Sequence, residues 1–267
     1  VKVPFVKMEG CGNDYLFVDG VARALTSAQA SALARRWSDR HFGVGADGLI
    51  LLTKDADGAL CMSMWNADGS RGAMCGNGLR CFARFAAARG YADGGAFVVQ
   101  TDVGPRGVEL LEGDAVRAEL GEVRVAAPRR VEVAGRSLTF AVGDAGNPHA
   151  ATFVDDVDEA PVHEVGAAMQ AHPQFVGGVN VEFVQALGDD RLRLRTFERG
   201  SGETLACGTG AAVAALAARQ VGKISGAAAQ VELRGGSLTV YVGGPSLAIE
   251  GPARTVFGGE VELLAPA

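Results

Sequence analysis

Two cysteines stand in matching glycine-rich stretches, Cys75 in "MCGNGLRC" and Cys207 in "ACGTGAAV". A free cysteine ordinarily packs as a small apolar side chain. Each of these two instead precedes Gly-x-Gly and then a run of helix-forming residues. Glycines there let backbone N–H groups approach a ligand closely, and a helix N-terminus favours negative charge. A thiol so placed is expected to lose its proton more readily than the free value of about 8.5. Two such thiols facing opposite sides of one bound molecule, across a cleft between two halves, suit one reaction class. A thiolate removes a proton from one face of a stereocentre, and a thiol returns one to the other face. Each helix end contributes roughly 0.3–1 kcal/mol to a bound anion, and about 2 kcal/mol when partly buried. An α-proton is far less acidic than a thiol, so water exclusion and preorganised donors must supply much of the rest.

The elements around these turns repeat. Laying residue n on residue n+132 places Cys75 on Cys207, Gly76 on Gly208, Gly78 on Gly210, Ala83 on Ala215, Ala86 on Ala218 and Gly90 on Gly222. A second pair supports the repeat: Gly12-Asn13 lies upstream of Cys75 as Gly146-Asn147 lies upstream of Cys207, each before a strand-like run. Two related halves follow, each offering a Gly-Asn turn and a Cys-Gly-x-Gly turn. Helices are expected over 27–38, 76–89, 160–171 and 209–221, the first from a Thr26/Ser27 cap. Strand-like runs include 3–7, 15–18, 49–53, 60–65 and 97–101, then 131–133, 138–142, 180–184, 192–196, 231–233 and 237–242. Few helices among many short strands is not the alternation of a doubly wound parallel sheet. The segment "GAAVAALAA" is apolar all round, so its helix belongs in a core ringed by strands. Arg80 and Arg84, four apart, predict a polar edge on the first-half helix.

Composition narrows the partners. The 267 residues are 48% hydrophobic with a formal charge of −6, which suits a globular chain and offers no basic cluster for nucleic acid or an anionic membrane. No charged-then-apolar leader and no apolar run near ~18 residues is apparent. Five cysteines without a spaced framework favour a reducing cytoplasm. Cys11, Cys61 and Cys81 read as core residues. Cys75 and Cys81 are not spaced as a metal pair, and the histidines show no ligand spacing, so no metal is expected. "GVGADG" at 43–48 matches a dinucleotide fingerprint, but a helical segment precedes it and a strand-like run follows. The required order is the reverse, and the stretch reads as a turn.

Six stretches together, "GCGNDYLFVD", "DRHFGVGADGLILL", "NADGSRGAMCGNGLRC", "GNPHAATFVDDVD", "VNVEFV" and "ERGSGETLACGTGA", resemble the diaminopimelate epimerase family nearly end to end. The resemblance implies an α+β fold of two pseudo-symmetric β-rich domains, each a strongly curved, mainly antiparallel sheet wrapped around a central helix. It implies domains at 1–122 plus 254–267, carrying Cys75, and 123–253, carrying Cys207, with the active site in the cleft between them and the last strand returning to the first domain. It implies cofactor-independent interconversion of LL- and meso-2,6-diaminopimelate, on the route to lysine and bacterial cell wall, and is compatible with a homodimer.

Carried over position by position, Cys75 and Cys207 resemble the acid–base pair, Cys75 deprotonating the LL isomer and Cys207 working in the reverse direction. Asn13, Asn66, Asn147, Asn180 and Arg199 resemble the side chains that hold the substrate's ammonium and carboxylate groups. Gly76-Asn77 and Gly208-Thr209 resemble the backbone grip on the reacting carboxylate. His149 and Glu198 resemble groups that tune the thiols, with Glu198 also at the substrate. Taken singly, these residues also read as turn asparagines, an exposed Glu-Arg pair and a surface histidine. The chain departs from some relatives at Gly48, where they carry a glutamine, and at Arg71, where acidic residues are frequent.

Other readings remain open on the residues alone. Proline and hydroxyproline racemases share the two-cysteine plan but tend to carry a histidine where this chain has Asn77, and a histidine racemase is a further relative. A cysteine hydrolase using Cys207 with His149 would leave Cys75 idle. A non-catalytic amino-acid-binding protein has no need of paired thiols.

Overall fold

The computed structural model describes residues 2–244 and 246–262. The chain divides into two compact units, Val1–Ala118 with Gly251–Ala267, and Glu119–Glu250. The first contains β1 (Lys2–Gly10), β2 (Asn13–Asp19), α1 (Ser27–Trp37), β3 (Gly48–Lys54), β4 (Leu60–Asn66), β5 (Arg71–Gly72), α2 (Gly76–Ala88), β6 (Ala96–Thr101) and β7 (Gly104–Leu110). After β8 (Ala115–Gly121) come β9 (Arg124–Val125), β10 (Arg129–Val133), β11 (Arg136–Asp144), β12 (Pro148–Phe153), α3 (Val162–Gln170), β13 (Asn180–Gly188), β14 (Arg191–Glu198), β15 (Gly202–Thr204), α4 (Gly208–Gln220), β16 (Ala228–Leu233), β17 (Gly236–Tyr241) and β18 (Leu247–Pro252). The last strand, β19 (Arg254–Glu262), pairs antiparallel with β1.

The two units repeat one pairing scheme. In the first, β1–β2 is antiparallel, β2–β3 parallel, β3–β4 and β4–β5 antiparallel, β4–β6 parallel and β6–β7 antiparallel. In the second, the same series runs β11–β12, β12–β13, β13–β14, β14–β15, β14–β16 and β16–β17. The parallel pairs need crossovers, and α1 and α3 provide the first of each while α2 and α4 provide the second. The fold is therefore β-rich α+β, mainly antiparallel with two parallel pairs in each unit.

The helices explain why the strands between them read as continuous apolar runs. On β2 and β3, Leu16, Val18, Leu49 and Leu51 pack with Leu33, Ala34 and Trp37 of α1. The alternate residues Tyr15, Phe17, Ile50 and Leu52 pack with Leu79, Phe82 and Phe85 of α2. A strand buried on both faces loses the apolar–polar alternation of a half-exposed one. Thr26 caps α1 through a capping box with Gln29, as the sequence predicts.

Helix α4 is buried at Gly208 and from Gly210 through Ala215, and again at Ala217 and Ala218. Its alanines let the surrounding strands approach. Helix α2 differs from expectation: Arg80 is not a polar edge but 0% exposed. Its Nε donates to the Pro252 carbonyl at 3.3 Å, and its Nη2 lies 4.0 Å from Cys11 Sγ. A long aliphatic stem carries the guanidinium inward, which helix periodicity alone does not forecast. Several strands were also not apparent in the sequence. These include β7, β8 and β18, in which Gly, Pro or charged residues interrupt the apolar pattern.

Register defines which residues occupy equivalent places in the two units. Tyr15 pairs with Gly48 and Phe17 with Ile50, while His149 pairs with Asn180 and Ala151 with Glu182. Gly48 in turn pairs with Asn66, and Val181 with Phe197, which sets Glu198 opposite Asn180. Counting from the Gly-Asn turns, Tyr15 corresponds to His149, Gly48 to Asn180, Ile50 to Glu182 and Asn66 to Glu198.

Candidate functional site

In the first unit, Cys75 is the N-cap of α2, with φ −131° and ψ 122°, and its sulfur accepts from the Gly78 N–H at 3.4 Å. The next donors, the N–H groups of Gly76 and Asn77, belong to the first helical turn, whose amides have no preceding carbonyl to bond. The Cys75 thiol donates to Asn13 Oδ1 at 3.2 Å. Asn13 starts β2 directly after a turn in which Cys11 (φ 55°) and Gly12 (φ 82°) are both left-handed. The Gly12 N–H is fixed on Glu9 Oε2 at 2.9 Å.

Behind Asn13 stands Asp47, whose Oδ2 accepts from Asn13 Nδ2 at 2.6 Å. That carboxylate decides the amide's orientation and turns Oδ1 toward the thiol. Asp47 belongs to a cluster: Arg40 Nη2 reaches Asp14 Oδ1 and Asp47 Oδ1, both at 2.8 Å, and Lys7 Nζ is 2.8 Å from Asp14 Oδ2. Burial and the charge of Asp14 hold the Asp47 carboxyl above its usual range. Burial opposes ionisation of Asp14 too, but Arg40 and Lys7 outweigh it and lower that carboxyl. The buried Tyr15 hydroxyl also hydrogen-bonds Cys75, and burial followed by the thiol's charge pushes the phenol well above its ordinary value. Asn77 is 2% exposed, and its Oδ1 has no partner among the described residues.

In the second unit, Cys207 caps α4 with φ −127° and ψ 110°, and the Gly210 N–H donates to its sulfur at 3.4 Å. Thr209 Oγ1 lies 3.4 Å from the same sulfur. Glu198 hydrogen-bonds Cys207 and takes a 2.5 Å bond from Thr204 Oγ1, and burial lifts its carboxyl above the usual range. The Cys207 thiol is pushed well above its ordinary value, first by burial, then by the charges of Glu198 and Glu182. That corrects the expectation of a readily lost proton. Helix-end stabilisation of roughly 0.3–1 kcal/mol is outweighed by desolvation and two nearby carboxylates.

The Gly-Asn turn here has Gly146 at φ 87°, and Asn147 Oδ1 lies 2.9 Å from His149 Nε2. His149 is fully buried rather than a surface residue, and its Nδ1 lies 2.7 Å from Glu182 Oε1. Asn180 is committed within the protein, its Oδ1 accepting from the Arg199 N–H at 2.9 Å and its Nδ2 donating to the Pro148 carbonyl at 3.2 Å. Asn66 and Arg199 are exposed. Asn66 Nδ2 donates to Ser70 Oγ at 3.0 Å.

The candidate residues thus form one cluster in each unit: Asn13, Cys75, Gly76 and Asn77 in the first, and Asn147, His149, Glu198, Cys207, Gly208 and Thr209 in the second. Three contributors escaped the sequence reading: Tyr15, Asp47 and Glu182. The visible signal for Glu182 is a lone acid inside "VNVEFV", a buried run in which Asn180 is the one other polar residue. Among the described residues, no group of three or more His, Cys, Asp or Glu side chains is arranged to hold a metal ion.

Residues 5–126 and 141–256 match the family model described as diaminopimelate epimerase. The chain belongs to the diaminopimelate epimerase family. A protein of that name from Leptospira biflexa serovar Patoc is 37% identical, covering 98% of this chain and 100% of its own. Another, from Synechocystis sp., is 39% identical over 98% of this chain and 100% of its own. Among solved structures, a PhzF-family phenazine biosynthesis protein of Bacillus anthracis superposes with TM-score 0.79 at 14% identity, covering 98% of this chain and 100% of that one. A hydroxyproline epimerase from Agrobacterium vitis gives TM-score 0.69 at 19% identity, covering 99% and 94%. At those identities the likeness is one of fold.

Gly48 and Arg71 both have a local structural setting in this member of the diaminopimelate epimerase family. A Cβ on Gly48 would lie 2.2 Å from the Trp65 carbonyl oxygen and 3.1 Å from Tyr15 Cε1, so β3 admits no side chain there without a backbone shift. Arg71 does not leave a loose positive charge. Its guanidinium binds Asp102 at 2.6 and 2.9 Å and lies 4.5 Å from the centre of the Trp65 ring.

Proposed function

We propose that this chain converts LL-2,6-diaminopimelate to meso-2,6-diaminopimelate without a cofactor, using Cys75 and Cys207 on opposite faces of one stereocentre. The observation that carries the reading is the duplicated cap. Each cysteine is the N-cap of a buried helix and its sulfur takes an N–H bond from the third residue on, and the Cys75 thiol also meets its Gly-Asn turn through Asn13. Family membership supplies the substrate.

In the LL-to-meso direction the Cys75 sulfur, once ionised, takes the α-proton, and the C–H electron pair moves toward the carboxylate. Backbone N–H groups of the two first helical turns hold that carboxylate, and a preorganised donor of this kind is worth about 10²–10³ in rate. The Cys207 thiol then gives its proton to the opposite face, which suits a sulfur whose surroundings favour the protonated form. Asn13 and Asn147 would orient the reacting end of the substrate, and Asn66, Asn180 and Arg199 would lie toward its far end. The reading places the enzyme in the cytoplasm, supplying precursors for lysine and the cell wall. Among the described residues, no helix is long and apolar enough to cross a membrane.

The test is incubation with LL-diaminopimelate in D₂O. Formation of the meso isomer with one deuterium at the inverted centre is expected. Turnover of proline, hydroxyproline or histidine in its place would move the assignment to the racemase reading. A stereocentre left protonated as supplied would end both.

A further inference from the structure

Register sets Glu182 in the second unit where the first unit has Ile50. Both side chains lie beneath the second glycine of a Cys-Gly-x-Gly turn. A Cβ on Gly78 would meet Ile50 Cδ1 at 2.7 Å, and one on Gly210 would meet Glu182 Oε1 at 2.7 Å. The fold therefore accepts a plain aliphatic residue at this place. Glu182 is nonetheless a carboxylate, 0% exposed, with its Oε2 unpartnered among the described residues. Burying a carboxylate oxygen without a partner is unfavourable, so packing alone does not account for it.

Its other oxygen does have a partner. Glu182 Oε1 is 2.7 Å from His149 Nδ1, and His149 Nε2 is 2.9 Å from Asn147 Oδ1. Both ring nitrogens therefore face an oxygen, Nδ1 the Glu182 carboxylate and Nε2 the Asn147 carbonyl. We propose that Glu182 is a positioning residue: through His149 it fixes the Asn147 amide with Oδ1 inward, so that the amide N–H₂ is the end presented to a ligand carboxylate. The first unit is wired oppositely. Asp47 contacts Asn13 directly, takes the Asn13 N–H₂, and leaves Oδ1 outward to the thiol. Interposing an imidazole between carboxylate and amide reverses which end of the asparagine is free. One amide then offers an acceptor and the other a donor, as a zwitterionic amino acid requires.

This proposal rests on the epimerase reading for its ligand but not for its geometry, and its test separates the two. In the unliganded wild-type protein, ¹⁵N NMR of the buried His149 should show protons on both Nδ1 and Nε2. An unprotonated Nε2 or Nδ1 overturns the proposal whether or not the chain turns over any substrate. In Glu182→Gln, the amide satisfies Nδ1 without demanding a charged ring, so Nε2 should lose its proton and Asn147 should turn over. KM for LL-diaminopimelate should then rise about tenfold or more, with kcat falling less, because a hydrogen bond to a charged group has been lost. A folded Glu182→Gln protein with wild-type KM and a protonated Nε2 would overturn it. Should that variant fail to fold, the wild-type spectrum still decides.

Discussion

The turns at Cys75 and Cys207 share a backbone, φ −131° and ψ 122° against φ −127° and ψ 110°, and the same 3.4 Å bond from the third residue's N–H to sulfur. Their surroundings differ. Around Cys75 are an asparagine carbonyl, a tyrosine hydroxyl and, further along α2, the buried Arg80. Around Cys207 are Glu198, Glu182 and Thr209, and position 212, the counterpart of Arg80, is alanine. Cys207 is 5% exposed, whereas Cys75 is half-buried. The two units thus share the backbone cradle and differ in the side chains around it. The cradle needs only glycines and a helix start, so it tolerates change in everything that sets the charge on the sulfur.

Removing either sulfur tests the shared part and should have the largest effect. Serine is a good helix N-cap, so Cys75→Ser and Cys207→Ser should keep their folds while losing the proton-transfer group. Turnover should fall by about 10²–10⁴ in both directions, read as meso-diaminopimelate formed from the LL isomer and the reverse. Near-wild-type turnover in Cys75→Ser would break the pairing.

Swapping the residues under the glycines tests the divergent part. Ile50→Glu puts a carboxylate beneath Gly78 among the apolar residues packed on α2, with no histidine beside it. A buried unpaired charge costs about 3–5 kcal/mol, and urea unfolding should show it. The glycines themselves give a smaller, unequal pair. In Gly78→Ala the new methyl meets the end of a flexible isoleucine, whereas in Gly210→Ala it meets a carboxylate held by His149. Overpacking costs about 1–3 kcal/mol, with Gly78→Ala at the low end, Gly210→Ala at the high end, and only the second expected to disturb turnover. Equal losses of stability in chemical denaturation would show that the carboxylate is as yielding as the isoleucine.

How much of this was legible beforehand divides along the same line. The glycine turns, the helices at 76–89 and 209–221 and the buried nature of the alanine helix follow from spacing and composition, because backbone geometry and close packing constrain residue type directly. Arg80, Tyr15, Asp47 and Glu182 did not show themselves. Each is a polar residue whose place is decided by strands distant in sequence. Tyr15 and Glu182 lie on the helix-facing side of strands buried on both faces, where alternation no longer marks inside from outside. His149 was legible as a candidate but not as buried, since its environment depends on β12 lying beside β13. Among the residues expected at the substrate's far end, Asn180 proves occupied by Pro148 and Arg199, a detail that only the β12–β14 register could reveal.

The smallest expected effect concerns the proton on Cys207. Its folded thiol lies well above the ordinary value because of burial and the charges of Glu198 and Glu182. The unfolded chain should ionise near the free value of about 8.5. Between those limits the folded state binds more protons than the unfolded one, so stability falls as pH rises through the alkaline range and is fully retained below it. Cys81, which burial pushes up to about 12, and Cys11, raised for the same first reason, contribute with the same sign, so the wild-type slope alone does not isolate Cys207. The difference between wild type and Cys207→Ser does. Denaturation midpoints taken across pH 7–10 should converge as pH rises, because the serine variant has no thiol at position 207 to hold protonated. Parallel curves would mean that neither burial nor the Glu198 and Glu182 charges hold the proton on this sulfur, and the contrast between the two turns would then not extend to the thiol's ionisation.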